Sequence, residues 1–322
     1  MVRESDGRLL PSIMHRVSHQ WVSLSKSPTR LHFGNPPPLL ICHKLPDGPL
    51  TTDIPFANIT LVGTSQHFLD IRSPQQVTSE SPNPNHTTYS ATAGTCARTS
   101  LSPSTSSASP FQLQLGPSTG NWTNWISCSS SSNSLATVPA TSTAQLFGFY
   151  DGDGVGPCEK ERGQAFDAVR GEMREYEDVW EGVPKMVMVP EEGQRAVGIV
   201  LKTVNPAPGD DVTVKGMVMR VAHVLQGVLV RAGSQASTTQ DMAVERWMYS
   251  TEKGWEKTVC FATDYALGEA LKDAVKRCRM DIDELKLGGV IDASGIEWEA
   301  AEISWSKTKA QLAEIERRKQ EE

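Results

Sequence analysis

Between residues 156 and 305 short apolar runs alternate with turn residues, and this rhythm constrains the fold more than any other feature of the chain. Residues 162–166 and 172–180 flank a turn at Arg170-Gly171, and 185–189 is an apolar run stopped by Pro190. Runs at 196–204, 212–224 and 226–232 follow, with Gly227 expected at a bend or bulge. Residues 243–250 and 254–262 face each other across Thr251-Glu252-Lys253, and 290–292 and 296–299 across Ala293-Ser294-Gly295. Strands this short pair with their sequence neighbours, so the pattern predicts an antiparallel meander closing into a small barrel. Leu267, Leu271, Ala274, Val275 and Cys278 recur at helical spacing, which predicts a helix over 266–280 covering one barrel end. Residues 306–322 predict a charged helical tail.

The first half is less regular. Residues 17–24 read as a strand around Trp21. Residues 59–62 and 67–72 predict a hairpin around Gly63-Thr64-Ser65, and 121–126 a short aromatic strand. Pro36, Pro37, Pro38, Pro46, Pro49 and Pro55 exclude strand and helix from 34–57, because proline has no N–H to donate. The Ser/Thr-rich runs 99–110 and 127–143 lack apolar periodicity and read as disordered loops.

Composition excludes several function classes. A net charge of -7 argues against a general nucleic-acid binder, which needs a concentrated basic face. The basic cluster Arg317-Arg318-Lys319 is interleaved with glutamates. No apolar run reaches the ~18 residues that membrane insertion requires, and the N-terminus has no secretory pattern. The six cysteines are scattered without a C-x-x-C pair, which suits free thiols. Cytoplasmic residence, with nuclear entry, is the expectation.

Two stretches carry a resemblance. Glu175-Tyr176-Glu177-Asp178-Val179-Trp180 precedes the apolar strands. Gln226-Gly227-Val228-Leu229-Val230-Arg231-Ala232-Gly233 is followed by Glu245-Arg246-Trp247 and Gly254-Trp255-Glu256. In this order they resemble the fungal HRI family, named for an interaction with a yeast casein kinase I. His67 to Arg72, Ala93-Gly94-Thr95 and Trp122 to Ile126 fit more loosely. The resemblance implies two consecutive calycin-like, lipocalin-like β-barrels, cytosolic and nuclear residence, and contact with a casein-kinase-I-type kinase. It implies no activity and no cofactor. The expected organisation is an all-β chain with an N-terminal barrel over 10–150, interrupted by Ser/Pro-rich insertions near 34–57 and 99–143. A C-terminal barrel over 156–305 and the helical tail complete it.

Motifs for chemistry are sparse. Asp151-Gly152-Asp153-Gly154 begins like a calcium loop, but Val155 and Arg162 stand where oxygen ligands belong. No phosphate loop, nucleophile elbow or metal-ligand spacing occurs, so no catalytic residue, metal or cofactor is assigned. Strand alternation puts Met219, Val221 and His223 on one face, where His223 lines the barrel as a core histidine or as a ligand contact. Tyr176, Trp180, Trp247 and Trp298 either fill the barrel or line a cup for an apolar ligand. Glu245 and Arg246 are adjacent and must point to opposite faces, so an inward charge needs a partner. These seven residues are the ligand-pocket candidates. The expected function is a non-enzymatic adaptor contacting a casein-kinase-I-type kinase. The rival is a small-apolar-ligand carrier or enzyme using the C-terminal barrel's cavity.

Overall fold

The computed structural model describes residues 12–21, 58–73, 89–100, 118–129, 141–150, 157–167, 172–182, 197–204, 213–232 and 240–305. The expectations for 34–57, 151–154, 185–189 and 306–322 lie outside these residues.

The first sheet is a closed antiparallel barrel. Its strands run in chain order: β1 (Ser12–Trp21), β2 (Asn58–Val62), β3 (His67–Arg72), β4 (Ser90–Ser100), β5 (Ser118–Ser129), β6 (Thr141–Tyr150), β7 (Pro157–Asp167) and β8 (Glu172–Gly182). The barrel closes where β8 pairs with β1, Met14 opposite Gly182 and Trp21 opposite Tyr176. The strand pair expected to begin the second unit therefore completes the first. Without β8 the edge of β1 would leave a row of backbone donors and acceptors unpaired. Part of the Ser/Thr-rich sequence is also strand: 99–100 belong to β4, 127–129 to β5 and 141–143 to β6. Threonine suits a pleated sheet, and backbone pairing does not require apolar alternation.

The second sheet has seven strands in the order β13-β12-β11-β10-β9-β15-β14. They are β9 (Val197–Thr203), β10 (Thr213–Val221), β11 (Val224–Ala232), β12 (Gln240–Ser250), β13 (Gly254–Ala262), β14 (Val290–Ala293) and β15 (Ile296–Trp305). Among the described residues it is an open, curled sheet with β13 and β14 at its edges, not the closed barrel expected. The chain joining those edges forms helix α1 (Tyr265–Met280), which packs across a sheet face instead of capping an end.

Helix α1 starts where Asp264, in an extended conformation, accepts from the Leu267 N–H at 2.8 Å. Leu267, Leu271, Ala274, Val275 and Cys278 form its buried stripe, as their spacing predicts. The stripe meets Ile199, Leu201, Val218, Leu225 and Leu229. Gly227 makes no bulge; it pairs regularly with Val218 and Glu245. A Cβ there would lie 2.8 Å from Leu271, so the glycine lets the helix approach the sheet. At the far end of α1 the buried Arg220 donates to the Cys278 carbonyl at 2.9 Å, a cation at the negative end of the helix. No helix among the described residues is long and apolar enough to cross a membrane.

The other face of the second sheet packs on the outside of the barrel. Met217, Met219, Val228, Met242 and Val244 form one core with Ile59, Leu61, Leu69, Ile71, Ala93 and Ile126. Polar contacts set the register of this apolar contact. Gln226 Nε2 donates to the carbonyls of Ile59 and Leu69, each at 3.2 Å. Glu302 of β15 accepts from the Thr64 N–H and hydroxyl at 2.7 Å each, from the Ser65 N–H at 3.0 Å, and from the Ser65 hydroxyl.

Candidate binding site in the barrel lumen

Strand alternation divides the barrel into an outer and an inner face. Leu69, Ile71, Ala91 and Ala93 face the second sheet, while Thr95, Ala97, Asn121, Thr123 and Gln145 face solvent. The intervening residues face the lumen, and they include charged groups. Thr60 and Arg72 both donate to Asp70, at 3.1 and 2.7 Å. Arg98 bridges β4 to β7 by donating to Glu159 at 2.6 Å, and its Nε donates to Ser118 at 2.7 Å.

Glu161 of β7 lies opposite Asp178 of β8. Its two oxygens accept from the Tyr176 hydroxyl at 2.5 Å and the Trp180 indole N–H at 2.8 Å. Burial pushes this carboxyl up to about 7; the Tyr176 and Trp180 bonds oppose that rise, and the negative Asp178 adds to it. Tyr176 is raised in turn, by burial and then by Glu161. Arg72 is held above its ordinary value chiefly by Asp70, with Asp178 and Glu161 adding to the field. Burial brings the Cys96 thiol up to about 12, and Glu159 and Glu161 push it further the same way. These groups therefore share one interior.

Burial varies among the lumen-facing residues: Phe68, Asp70, Cys96, Ala144, Leu146, Asp178 and Trp180 are buried. Thr60, Arg72, Thr92, Arg98, Trp122, Ser142, Glu159, Glu161 and Tyr176 all retain intermediate exposure, whereas Leu61, Leu69, Ile71 and Ala93 on the outer face have none. An eight-stranded barrel is wide enough to be packed by side chains or to hold one small ligand. An apolar cluster of Val62, Phe68, Cys96 and Trp122 adjoins the charged groups. Among the described residues no group of three His, Cys, Asp or Glu side chains is arranged to hold a metal.

The seven sequence candidates do not form one site. Tyr176 and Trp180 line the first barrel. Glu245 is buried on the α1 side of the second sheet, where it accepts from Trp247 Nε1 at 2.8 Å and pairs with Lys257 at 2.6 Å. The Trp247 ring lies under both Lys257 and the Arg279 guanidinium, 5.1 and 4.2 Å from its centroid. Arg246 faces the other way, into the contact with the barrel. Trp298 is wholly buried among the helix-facing residues. β10 ends at Val221, so His223 sits in the turn to β11 and not on a strand face. Burial brings its imidazole down to about 4.

Asp70, Arg72 and Asp178 lie in stretches that carried the family resemblance, but neither they nor Arg98, Glu159 and Glu161 were among the sequence's site candidates. In β3 the alternation Leu69/Ile71 against Asp70/Arg72 has the form of a strand with one wet face, and only barrel closure turns that face inward. Ser65, His67 and Glu302 come close together, with Ser65 Oγ 2.7 Å from His67 Nδ1. They do not form a catalytic triad, because the carboxylate binds the serine directly and does not orient the histidine.

The model of the family described as Protein HRI1 matches residues 54–302. The chain belongs to this HRI1 family. The match runs from β2 to β15 and takes in both sheets, and it begins just beyond most of the proline-broken segment. Among solved structures, an uncharacterized protein from Saccharomyces cerevisiae, YLR301w, superposes with a TM-score of 0.54 over 92% of this chain and 100% of that one. At 16% identity the likeness is one of fold. No curated protein matches the chain.

Proposed function

We propose that this HRI1-family protein is a non-enzymatic binding protein that holds a small organic molecule in the lumen of its first barrel. The observation carrying this reading is Glu161, a carboxylate inside a closed barrel, gripped by Tyr176 and Trp180 and flanked by lumen-facing side chains that remain partly exposed. A carboxylate is costly to bury, and a barrel serving only as scaffold gains nothing from one. A binding barrel needs a few fixed polar groups among apolar walls. The second sheet offers less to a carrier, because α1 and Trp298 occupy its inner face. Native mass spectrometry of the protein from its own host tests the proposal. The expected result is a small-molecule adduct on the wild type that Ala144→Phe, which fills the lumen wall, removes. Identical adduct-free spectra would overturn it.

The adaptor reading has its own support. The Ser/Thr-rich runs join β4 to β5 and β5 to β6, pairs that are already hydrogen-bonded neighbours, so modifying the connections leaves the ladder intact. Incubation with a casein-kinase-I-type enzyme is expected to add phosphate within 101–117 and 130–140; an unchanged intact mass would count against it. The buried free thiols of Cys96, Cys128 and Cys278 support a reducing compartment, the cytoplasm with nuclear entry.

A further inference from the structure

Strand β13 is an edge of the second sheet, and its outer side carries no strand among the described residues. Its pairing with β12 fixes which backbone groups look outward. The Thr263 N–H donates to the Met242 carbonyl at 2.9 Å, one step beyond the Ala262–Ala243 pair. Bonded and non-bonded pairs alternate in an antiparallel ladder, so Ala262 and Cys260 turn their N–H and C=O away from β12. Both residues are exposed. Their side chains, a methyl and a thiol, lie on the helix side of the sheet, as do those of their partners Ala243 and Glu245. The register shift at Thr258 bounds this stretch, which runs regularly from Val259 to Ala262. Free edges are commonly blunted by a lysine standing out from them. Lys257 is instead folded inward, onto Glu245 at 2.6 Å and over the Trp247 ring.

The flank of α1 beside this edge is basic. Gly268 approaches β13, since a Cβ there would lie 3.1 Å from the Ala262 Cβ. Lys272, Lys276 and Arg279 follow Gly268 at helical spacing, on the same flank. The Arg279 guanidinium, 4.2 Å from the Trp247 centroid, shows the direction of that flank. The carboxylates on this side are already engaged. Glu245 is held by Trp247 and Lys257, Glu269 by Lys272, Asp264 by Leu267 and Arg231, and Asp241 by Thr263. Lys276 and Arg279 are left without a carboxylate among the described residues, and Arg279 donates only to the Met280 sulfur, at 3.7 Å. On the opposite flank the charges have partners: Arg277 with Asp281 and Glu284, and Asp273 with Ser294.

An extended segment added to β13 supplies both missing partners. Its backbone pairs with the outward groups of Cys260 and Ala262, and every second side chain stands on the helix side, below Lys272, Lys276 and Arg279. The small side chains of Cys260 and Ala262 leave that lane open. A guanidinium held over an indole keeps its N–H fork available to an oxyanion, so acidic side chains suit the lane better than neutral or basic ones. We propose that β13 is a docking strand for an acidic extended segment of a partner protein, whose carboxylates at alternate positions meet Lys276 and Arg279. This surface belongs to the second sheet and is independent of the barrel lumen.

Titration calorimetry and residue-resolved amide exchange of the full chain test this with a synthetic peptide alternating glutamate and valine. The controls are the same peptide with glutamine or with lysine in place of glutamate. The glutamate peptide is expected to bind at least tenfold more tightly than either control at low salt, with the advantage shrinking at high salt. Binding should slow exchange of the Cys260 and Ala262 amides. Arg279→Gln and Lys276→Gln should each weaken the glutamate peptide and leave the glutamine peptide unchanged, with melting temperatures equal to wild type. Ala262→Pro, which removes a donor that β12 does not use, should weaken every peptide. Equal binding of the three peptides, or an Arg279→Gln affinity equal to wild type, overturns the acidic assignment. Binding that leaves both amides unprotected overturns strand addition. Slow exchange of both amides in the free chain would show the edge covered by the chain itself, or by a second copy if dilution speeds the exchange. Either result overturns the proposal, and so does a glutamate peptide that does not bind.

Discussion

Arg246 reaches out of the second sheet and donates from Nη2 to the Ile71 carbonyl at 2.6 Å, on the strand whose other face holds Asp70 and Arg72 inside the barrel. Its Nε donates to Gln226 at 2.7 Å, and Gln226 continues to Ile59 and Leu69. Burial brings the guanidinium down to about 10, which still leaves it charged at neutral pH. Two sheets that meet through aliphatic side chains could slide past one another; these directional bonds to β2 and β3 hold a single register.

Replacing Arg246 removes that network from a fully buried position. Arg246→Met leaves the Ile71 carbonyl and Gln226 without their donor and is expected to cost about 3 kcal/mol. Arg246→Lys should recover only part, because an ammonium lacks the planar fork that serves both acceptors. Urea unfolding with an unchanged m-value and a lower midpoint would show the loss; a midpoint equal to wild type for Met would refute the role.

Glu302 answers to pH. Burial alone would raise its carboxyl, but the bonds from Ser65 and Thr64 outweigh burial and hold it below the ordinary value. A depressed folded value means its contribution is complete above about 4.5 and is lost as pH falls through the folded value. Glu302→Gln is expected to cost about 2 kcal/mol at pH 7, since an amide offers one acceptor where a carboxylate offers two. The gap between variant and wild type should shrink at pH 3. A constant gap in denaturant midpoints at the two pH values would contradict this.

Glu161 runs the opposite way. Its folded value near 7 lies above the ordinary value, so its contribution to stability is intact below about pH 4.5 and is lost as pH rises through 7. Glu161→Gln is expected to flatten the fall in melting temperature between pH 5 and pH 8. An unchanged slope would show that the carboxyl is not desolvated in solution.

Trp298 is packed tightly and carries a buried indole N–H with no hydrogen-bond partner among the described residues. A Cβ on Gly216 would lie 2.5 Å from the Trp298 ring and 2.6 Å from Leu229, so Gly216→Ala is expected to cost about 1–3 kcal/mol by overpacking. Trp298→Phe should cost less than the roughly 3–5 kcal/mol of a full truncation to alanine, because it also removes the orphaned donor. Thermal melts of the three variants give the order directly.

The elements were legible in the chain where neighbouring residues define them. The hairpin at Gly63-Thr64-Ser65, the pairs β7–β8, β12–β13 and β14–β15, and the helix at 265–280 follow from turn chemistry and from periods of 2 and 3.6, which are properties of local sequence. The residues that carried the family resemblance were legible for the same reason. What closes on what was not. That β8 returns to β1, and that β13 and β14 stay apart with α1 laid between them, depends on pairings across more than 150 residues and on helix packing that no local pattern encodes. The candidate site inherits that gap. Tyr176 and Trp180 stood out as aromatics, but Asp70, Arg72, Glu161 and Asp178 have the pattern of a solvated strand face. Barrel closure alone turned that face inward, removed its water and gave Glu161 a carboxyl that titrates near neutrality.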